Sequence, residues 1–132
     1  MSDDVSTTRL DDSQRANMLG EQLSLRSFGL RQLTLRPGQR NRVHRHRNQE
    51  EVYVVLRGTL TIILDDGERS LGAGEVARVA PHVRRQLANR GEETCTLVAI
   101  GAAGTHERGD AEAFFDWDDH EPKSPAEVPL PE

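Results

Sequence analysis

Short apolar runs separated by turn-forming residues constrain the fold of this chain more than any other feature. Apolar and polar residues alternate in most of these runs, which is the pattern of strands with one buried face. Gly38, Gly58 and Gly67 lie between runs, where glycine favours a turn. The predicted strands cover residues 23–28, 30–35, 43–46, 51–56, 59–64, 75–79, 84–87 and 94–100. The pattern predicts an all-β sandwich or barrel, with at most one short helix at residues 110–117.

The length of 132 residues and the hydrophobic content of 35% fit one domain with one modest core. Residues 1–20 are predicted to be a polar, partly disordered segment, and residues 21–104 to form the barrel. Residues 105–117 include Phe114, Phe115 and Trp117, which we expect to cover an end or edge of the barrel. Residues 118–132 are predicted to be an acidic, proline-containing tail.

Composition and charge disfavour several classes of function. No apolar run approaches the roughly 20 residues of a membrane-spanning helix, and the acidic start lacks the segments of a signal peptide. We therefore expect a soluble, cytoplasmic protein without membrane contact. Thirteen arginines lie between residues 21 and 93, but this stretch lacks the aromatic platforms that stack on bases, so we expect no nucleic-acid partner. The single cysteine, Cys95, lies in an apolar run and is predicted to be buried and not catalytic.

The residues that point to chemistry are two histidines and a glutamate. His44 and His46 alternate in a predicted strand, so both imidazoles face the same side, and Glu51 opens the next strand. Two imidazoles and a carboxylate that converge inside a barrel would suit a divalent transition metal. A His-x-His pair alone is weak evidence, because two exposed histidines among arginines have the same pattern.

The spacing around these residues is more specific. Five residues separate Gly38 from His44, four separate His46 from Glu51, and six separate Glu51 from Gly58. In this spacing the chain resembles the first motif of the cupin superfamily, and the resemblance covers roughly residues 21–104. It implies a double-stranded β-helix barrel of the cupin or jelly-roll type. It also implies that His44, His46 and Glu51 are metal ligands and that the protein is a homodimer.

The second cupin motif is only partly present. Aligned from Gly74, the sequence has Asn89 at the final motif position, but Arg85 stands where the family has its third metal-binding histidine. A guanidinium donates hydrogen bonds and cannot coordinate a cation. In one hypothesis the other three residues hold the metal and Arg85 anchors an anionic ligand beside it. In the other, Arg85 pairs with Glu51 and the barrel is a metal-free binder.

Neighbouring positions are assigned to the inner or outer face of the barrel from the alternation of side chains along each strand. Tyr53 shares the face of Glu51 and is predicted either to bind the ligand or to fill the barrel. Glu50 is assigned to the surface. Arg84 is predicted to face away from Arg85, as surface charge or a dimer contact.

Two functions remain open. The first is a barrel that binds Fe, Mn, Ni or Zn and a small anionic organic ligand, as a metal-dependent oxygenase or isomerase. The second is a metal-free, non-catalytic binding or sensing module in which Arg85 anchors the anion. Whether the protein is an enzyme is left undecided by the sequence.

Overall fold

A computed structural model describes residues 4–102 and 109–131 of the chain. Within these ranges two five-stranded antiparallel sheets enclose the core as a double-stranded β-helix. The strands are β1 Ala16–Asn17, β2 Gly29–Leu35, β3 Val43–His46, β4 Glu50–Arg57, β5 Thr59–Leu64, β6 Gly67–Gly72, β7 Val76–Val79, β8 Arg85–Ala88, β9 Cys95–Ala102 and β10 Ala111–Phe114. One α-helix, α1 Leu19–Leu23, and one 3-10 helix, Pro125–Glu127, complete the described elements.

The two sheets bring different parts of the chain together. The first has the order β1-β2-β9-β4-β7, and the second has the order β10-β3-β8-β5-β6. β3 and β4 are consecutive in sequence but lie in opposite sheets, so side chains on their inner faces can meet across the barrel. This arrangement positions the site.

Alternating burial on β4 shows how the sequence selects the inner face. Glu51, Tyr53 and Val55 are buried, whereas Glu50 is exposed. The apolar inner side chains of both sheets form one continuous core in which Leu60, Ile62, Leu87, Leu97 and Cys95 are at most 2% exposed. This confirms the predicted burial of Cys95.

Two predicted elements are wrong. Residues 23–28 do not form a strand, because α1 ends at Leu23 and Ser24 follows in the left-handed conformation, with φ of 58°. Residues 110–117 are not helical, because β10 pairs with the free edge of β3 in antiparallel register. This tertiary pairing outweighs the helix propensity of alanine and glutamate.

β1, β6 and β10 have no counterpart among the predicted strands, and β6 is the longest of the three. β6 is polar along most of its length, and Leu71 is its only buried residue. It pairs with β5 at the edge of the sheet, where exposed polar side chains are tolerated on both faces.

Parts of the N-terminal and C-terminal segments pair with or pack against the barrel. β1 pairs with β2 and therefore extends the first sheet into the segment before residue 21. Phe114 is 1% exposed and covers the barrel beside β3. Positions 1–3, 105–108 and 132 of the predicted terminal and covering segments lie outside the described residues. No helix in the described ranges is long and apolar enough to span a bilayer.

Candidate metal centre

His44, His46 and Glu51 converge across the barrel. The histidines project inward from β3 and the glutamate from β4 of the opposite sheet. One ligand atom from each residue lies within 4.8 Å of the others. The Oε1 atom of Glu51 is 3.2 Å from His46 Nε2 and 3.6 Å from His44 Nε2.

The other ring nitrogen of each histidine is already engaged. His46 Nδ1 lies 3.2 Å from Asp110 Oδ2, and His44 Nδ1 lies 3.0 Å from the carbonyl oxygen of Arg42. An imidazole that donates through Nδ1 to such an acceptor presents the lone pair of Nε2 on its other side. A carboxylate or carbonyl behind a histidine is the usual outer partner of a metal-binding imidazole.

His46 Nε2 is a buried polar atom without a hydrogen-bond partner among the described residues. With its proton on Nδ1, this nitrogen directs a lone pair toward a carboxylate oxygen, an arrangement that a cation between the two atoms would stabilise. Ligands bound at about 2.0–2.2 Å and at angles between octahedral and tetrahedral lie about 3.0–3.5 Å apart. The distances from Glu51 Oε1 to the two imidazoles are close to this range, so the residues fit a divalent transition metal.

The charge states are also suited to a cation. Burial lowers the pKa of His44, which keeps its imidazole neutral near neutral pH. Burial alone would raise the pKa of Glu51, but His44 and His46 lower it well below its usual range. The centre therefore presents an ionised carboxylate beside a neutral imidazole.

Arg85 and Tyr53 contact the same oxygen of Glu51 that faces the two histidines. Arg85 Nη2 donates to Glu51 Oε1 at 2.9 Å, and the Tyr53 hydroxyl donates to the same oxygen at 2.6 Å. Burial raises the pKa of Tyr53, so the phenol keeps the proton that it donates. Arg85 is 0% exposed, and Nε donates to the Tyr53 hydroxyl while Nη1 donates to the carbonyl oxygens of Ala80, Pro81 and Val83.

The predicted pairing of Arg85 with Glu51 is thus present together with the triad of His44, His46 and Glu51. The ligand-binding roles predicted for Arg85 and Tyr53 stay predictions. Both side chains are buried, at 0% and 1% exposure, and their polar groups contact the protein itself.

Asp110 is a site residue that the sequence analysis missed. Besides His46, its carboxylate accepts hydrogen bonds from the backbone N–H groups of Asn48 and Gln49 at 2.9 and 3.0 Å. Burial acts to raise the pKa of Asp110, but these bonds and His46 lower it, so the carboxylate is ionised. Asp110 is 64 residues from His46, and no local motif connects them.

Arg31 is the second missed residue. It lies on β2, and its Nη2 is 3.9 Å from Glu51 Oε2, the oxygen that faces away from Tyr53 and Arg85. Unlike Arg85, its side chain is 41% exposed. No spacing signal distinguishes it from the other arginines of the chain.

Two cavities reach the triad. One of about 220 Å³ contacts His46 and Glu51 and extends to Met18, Leu25 and Phe28. The other, of about 100 Å³, contacts His44 and His46 beside Pro125. Arg31 lines both of them.

Glu50 and Arg84 were both predicted to lie on the surface, and only Glu50 does. Glu50 is exposed as predicted and pairs with Arg78. The prediction for Arg84 is wrong, because this residue is only 8% exposed. Its guanidinium stacks over Phe114 and Trp117, at 4.9 and 5.1 Å from the ring centroids. Parity placed Arg84 on the outer side of its sheet but did not reveal the C-terminal segment that covers it.

The cupin domain family matches residues 31–101, more than half of the chain. The chain belongs to the cupin superfamily. This match confirms the resemblance that the first motif indicated. The structure also shows which contacts Asn89, the final residue of the second motif, makes. Asn89 of this cupin is 1% exposed and donates to the carbonyl oxygens of Leu35 and Glu93.

Solved cupin structures are similar to this one. A candidate sugar phosphate isomerase of Acidithiobacillus ferrooxidans has 26% identity and a TM-score of 0.61, over 66% of this chain and 57% of its own. A sugar phosphate isomerase of Silicibacter pomeroyi, also from the cupin superfamily, has 23% identity and a TM-score of 0.64, over 88% and 79%. A cupin 2 conserved barrel domain protein of Salinispora arenicola has 25% identity and a TM-score of 0.61, over 73% and 81%. No functionally curated protein matches the chain.

Proposed function

We propose that this cupin binds one divalent transition metal, Fe, Mn, Ni or Zn, through His44, His46 and Glu51, and acts there on a small anionic organic ligand. The observation that carries the proposal is the convergence of the two imidazoles and the carboxylate across the barrel, with the buried Nε2 of His46 3.2 Å from Glu51 Oε1 and its Nδ1 held by Asp110. Two imidazoles and one carboxylate leave coordination positions open for a ligand.

The chain's own residues prepare the site for this task. Asp110 and the carbonyl of Arg42 fix the ring orientations of His46 and His44. Tyr53 and Arg85 hold Glu51 in one position and offset the cost of burying its charge. A bound metal would supply Lewis-acid polarisation of a ligand oxygen.

Isomerisation is the reaction class that we favour over oxygenation. Two of the similar solved structures carry the name sugar phosphate isomerase, and the one from Acidithiobacillus ferrooxidans is 26% identical to this chain. This cupin spans 57% of that protein, so the reaction is inferred for the barrel that the two share.

A specific contact supports a second candidate function. The 2.9 Å pairing of Arg85 with Glu51 gives the buried carboxylate a positive partner without any metal. In that case the barrel is a metal-free binding or sensing module.

Metal titration decides between the two candidates. Calorimetry with Mn²⁺, Ni²⁺ and Zn²⁺ on chelator-stripped protein is expected to show one site per chain, which is lost in His46→Ala. His82→Ala is the matched control, because His82 is an exposed histidine in a turn. A wild-type protein that takes up none of these metals, nor Fe²⁺ under anaerobic conditions, would favour the metal-free module.

A further inference from the structure

Arg31 has the placement of an anion-binding residue. In the register of the first sheet it lies opposite Ala99, which in turn lies opposite Tyr53, so it belongs to the inner row next to that of Glu51. Among the described residues, Glu51 is the only charged partner within 4.0 Å of its guanidinium, at the long distance of 3.9 Å. An arginine offers up to five N–H donors in a planar fork that suits a carboxylate or phosphate.

The hydrogen-bond donors of Arg85 are already engaged and are not free to bind an anion. Its three nitrogens donate to Tyr53, Glu51 and backbone carbonyls, and it is 0% exposed. An incoming anion would have to displace these contacts. Of the two arginines that contact Glu51, only Arg31 is accessible, and the exposed Arg26 lines the same cavity without a contact to Glu51.

Two glycines lie beside Arg31 in the first sheet. Gly29 and Gly101 lie next to each other in register, and Gly101 lies opposite Glu51, so neither position adds a side chain next to the carboxylate. The side chain of Gln49 packs against Gly101, where a Cβ atom would lie 3.1 Å from Gln49 Oε1 and 3.8 Å from Glu51 Oε2. Gly29, Gly101 and Gln49 line the 220 Å³ cavity together with Glu51.

Apolar side chains also line this cavity, beside Glu21, Ser24 and Arg26. Met18, Leu25, Phe28 and Leu30 line it, and Met18 and Phe28 are 38% and 37% exposed. Binding of an apolar group would remove these side chains from water. At 220 Å³ the cavity is smaller than the roughly 300–1,000 Å³ of sites for drug-sized molecules, so it suits a small compound.

We infer that Arg31 is the specificity-determining residue of this site, and that the ligand is a small carboxylate with an apolar body. The carboxylate pairs with the guanidinium of Arg31 beside Glu51 Oε2, and the apolar body lies against Leu25, Phe28 and Met18. The inference rests on the proposed function only in taking this cavity as the ligand site.

Calorimetry with two compounds of the same shape tests the inference. The probes are 3-methylbutanoate and its neutral analogue 3-methylbutanamide, titrated into Zn²⁺-loaded and into metal-free protein. The acid is expected to bind wild type about tenfold or more tightly than the amide, and to bind Arg31→Gln about tenfold or more weakly than wild type. Arg36→Gln is the matched control, because Arg36 is an exposed arginine just after the end of β2.

Several outcomes would overturn the inference. These are acid binding that is unchanged in Arg31→Gln, no acid binding by wild type in either metal state, or inorganic phosphate binding as tightly as the acid. Zn²⁺ affinity measured in each variant separates this inference from the proposed function. Zn²⁺ binding that survives in Arg31→Gln leaves the metal centre intact whatever the anion result, whereas acid binding by a protein that takes up no Zn²⁺ would support Arg31 without the metal.

Discussion

A single oxygen atom organises the site at the scale of residues. Glu51 Oε1 accepts hydrogen bonds from Tyr53 and Arg85 and lies within 3.6 Å of both imidazole Nε2 atoms. A buried carboxylate is stable only when such partners compensate its charge. Arg85, at the position of the family's third histidine, therefore acts as a counter-ion to Glu51.

Restoring a histidine at position 85 tests this role. His44 and Arg85 are direct register partners, so an imidazole at position 85 would lie beside His44. Arg85→His is expected to bind Zn²⁺ about tenfold or more tightly than wild type, because a positive charge is removed and a nitrogen ligand is added. Arg85→Gln, which only removes the charge, is the control, and calorimetry is the measurement. Equal affinities of the two variants would refute the placement of position 85 beside the metal.

Asp110 offers a second test at the same scale. Asp110→Asn removes the charge behind His46 and is expected to weaken Zn²⁺ binding about 10- to 100-fold. Asp66→Asn, in the exposed turn between β5 and β6, should leave the affinity unchanged. An Asp110→Asn protein with wild-type affinity would show that His46 needs no outer partner.

The contrast between these residues shows what sequence can predict. His44, His46 and Glu51 are recognisable because eight positions of one strand–loop–strand segment contain all three. Arg31 lies on β2 and Asp110 directly precedes β10, and only the folded barrel brings them near the triad. Their pairings depend on tertiary structure, which leaves no local pattern.

At the scale of elements, alternation predicts strands well where one face is buried. β4 and β5 were found in this way, with boundaries close to those of the structure. β6 and β10 were missed because they lie at sheet edges, where polar or small residues suffice. In residues 23–28 the apolar positions line a cavity, so their alternation does not indicate a strand.

Gly58 gives a prediction at this scale. It has φ of 74°, and a Cβ atom there would lie 2.5 Å from the carbonyl oxygen of Thr94. Gly38, the other motif glycine, has φ of 85°, but no atom lies within 4 Å of the position that a Cβ would take there. Gly58→Ala is therefore expected to lower the free energy of unfolding by about 1–3 kcal/mol more than Gly38→Ala, as measured by urea denaturation. Equal losses would mean that the positive φ angle alone, and not the contact with Thr94, explains the need for glycine at position 58.

At the scale of the whole molecule, Cys95 reports on the integrity of the barrel. Its thiol is 0% exposed at the centre of the core, and burial raises its pKa to about 11. Because the folded-state pKa is raised, the neutral thiol is favoured, and its contribution to stability is lost as pH rises from about 9 toward 11.

Alkylation at pH 8 should therefore be slow in native buffer and should accelerate with urea in parallel with global unfolding. Labelling by iodoacetamide followed by mass spectrometry measures the rate. Rapid labelling of the native protein would show that the core opens locally around β9.

The barrel was predictable as a whole because its first motif occupies one continuous segment of sequence. The homodimer implied by family resemblance stays a prediction, since an association between chains depends on surfaces rather than on the motif. Function depends on whether the triad holds a metal, which is a property of the assembled barrel.

Anomalous diffraction from crystals of the Zn²⁺-loaded protein, recorded near the zinc edge, would locate the metal. We expect one strong peak per chain, at about 2.0–2.2 Å from His44 Nε2, His46 Nε2 and an oxygen of Glu51. No peak at the triad, with Arg85 still paired to Glu51, or zinc bound only to other side chains, would contradict the proposed metal centre.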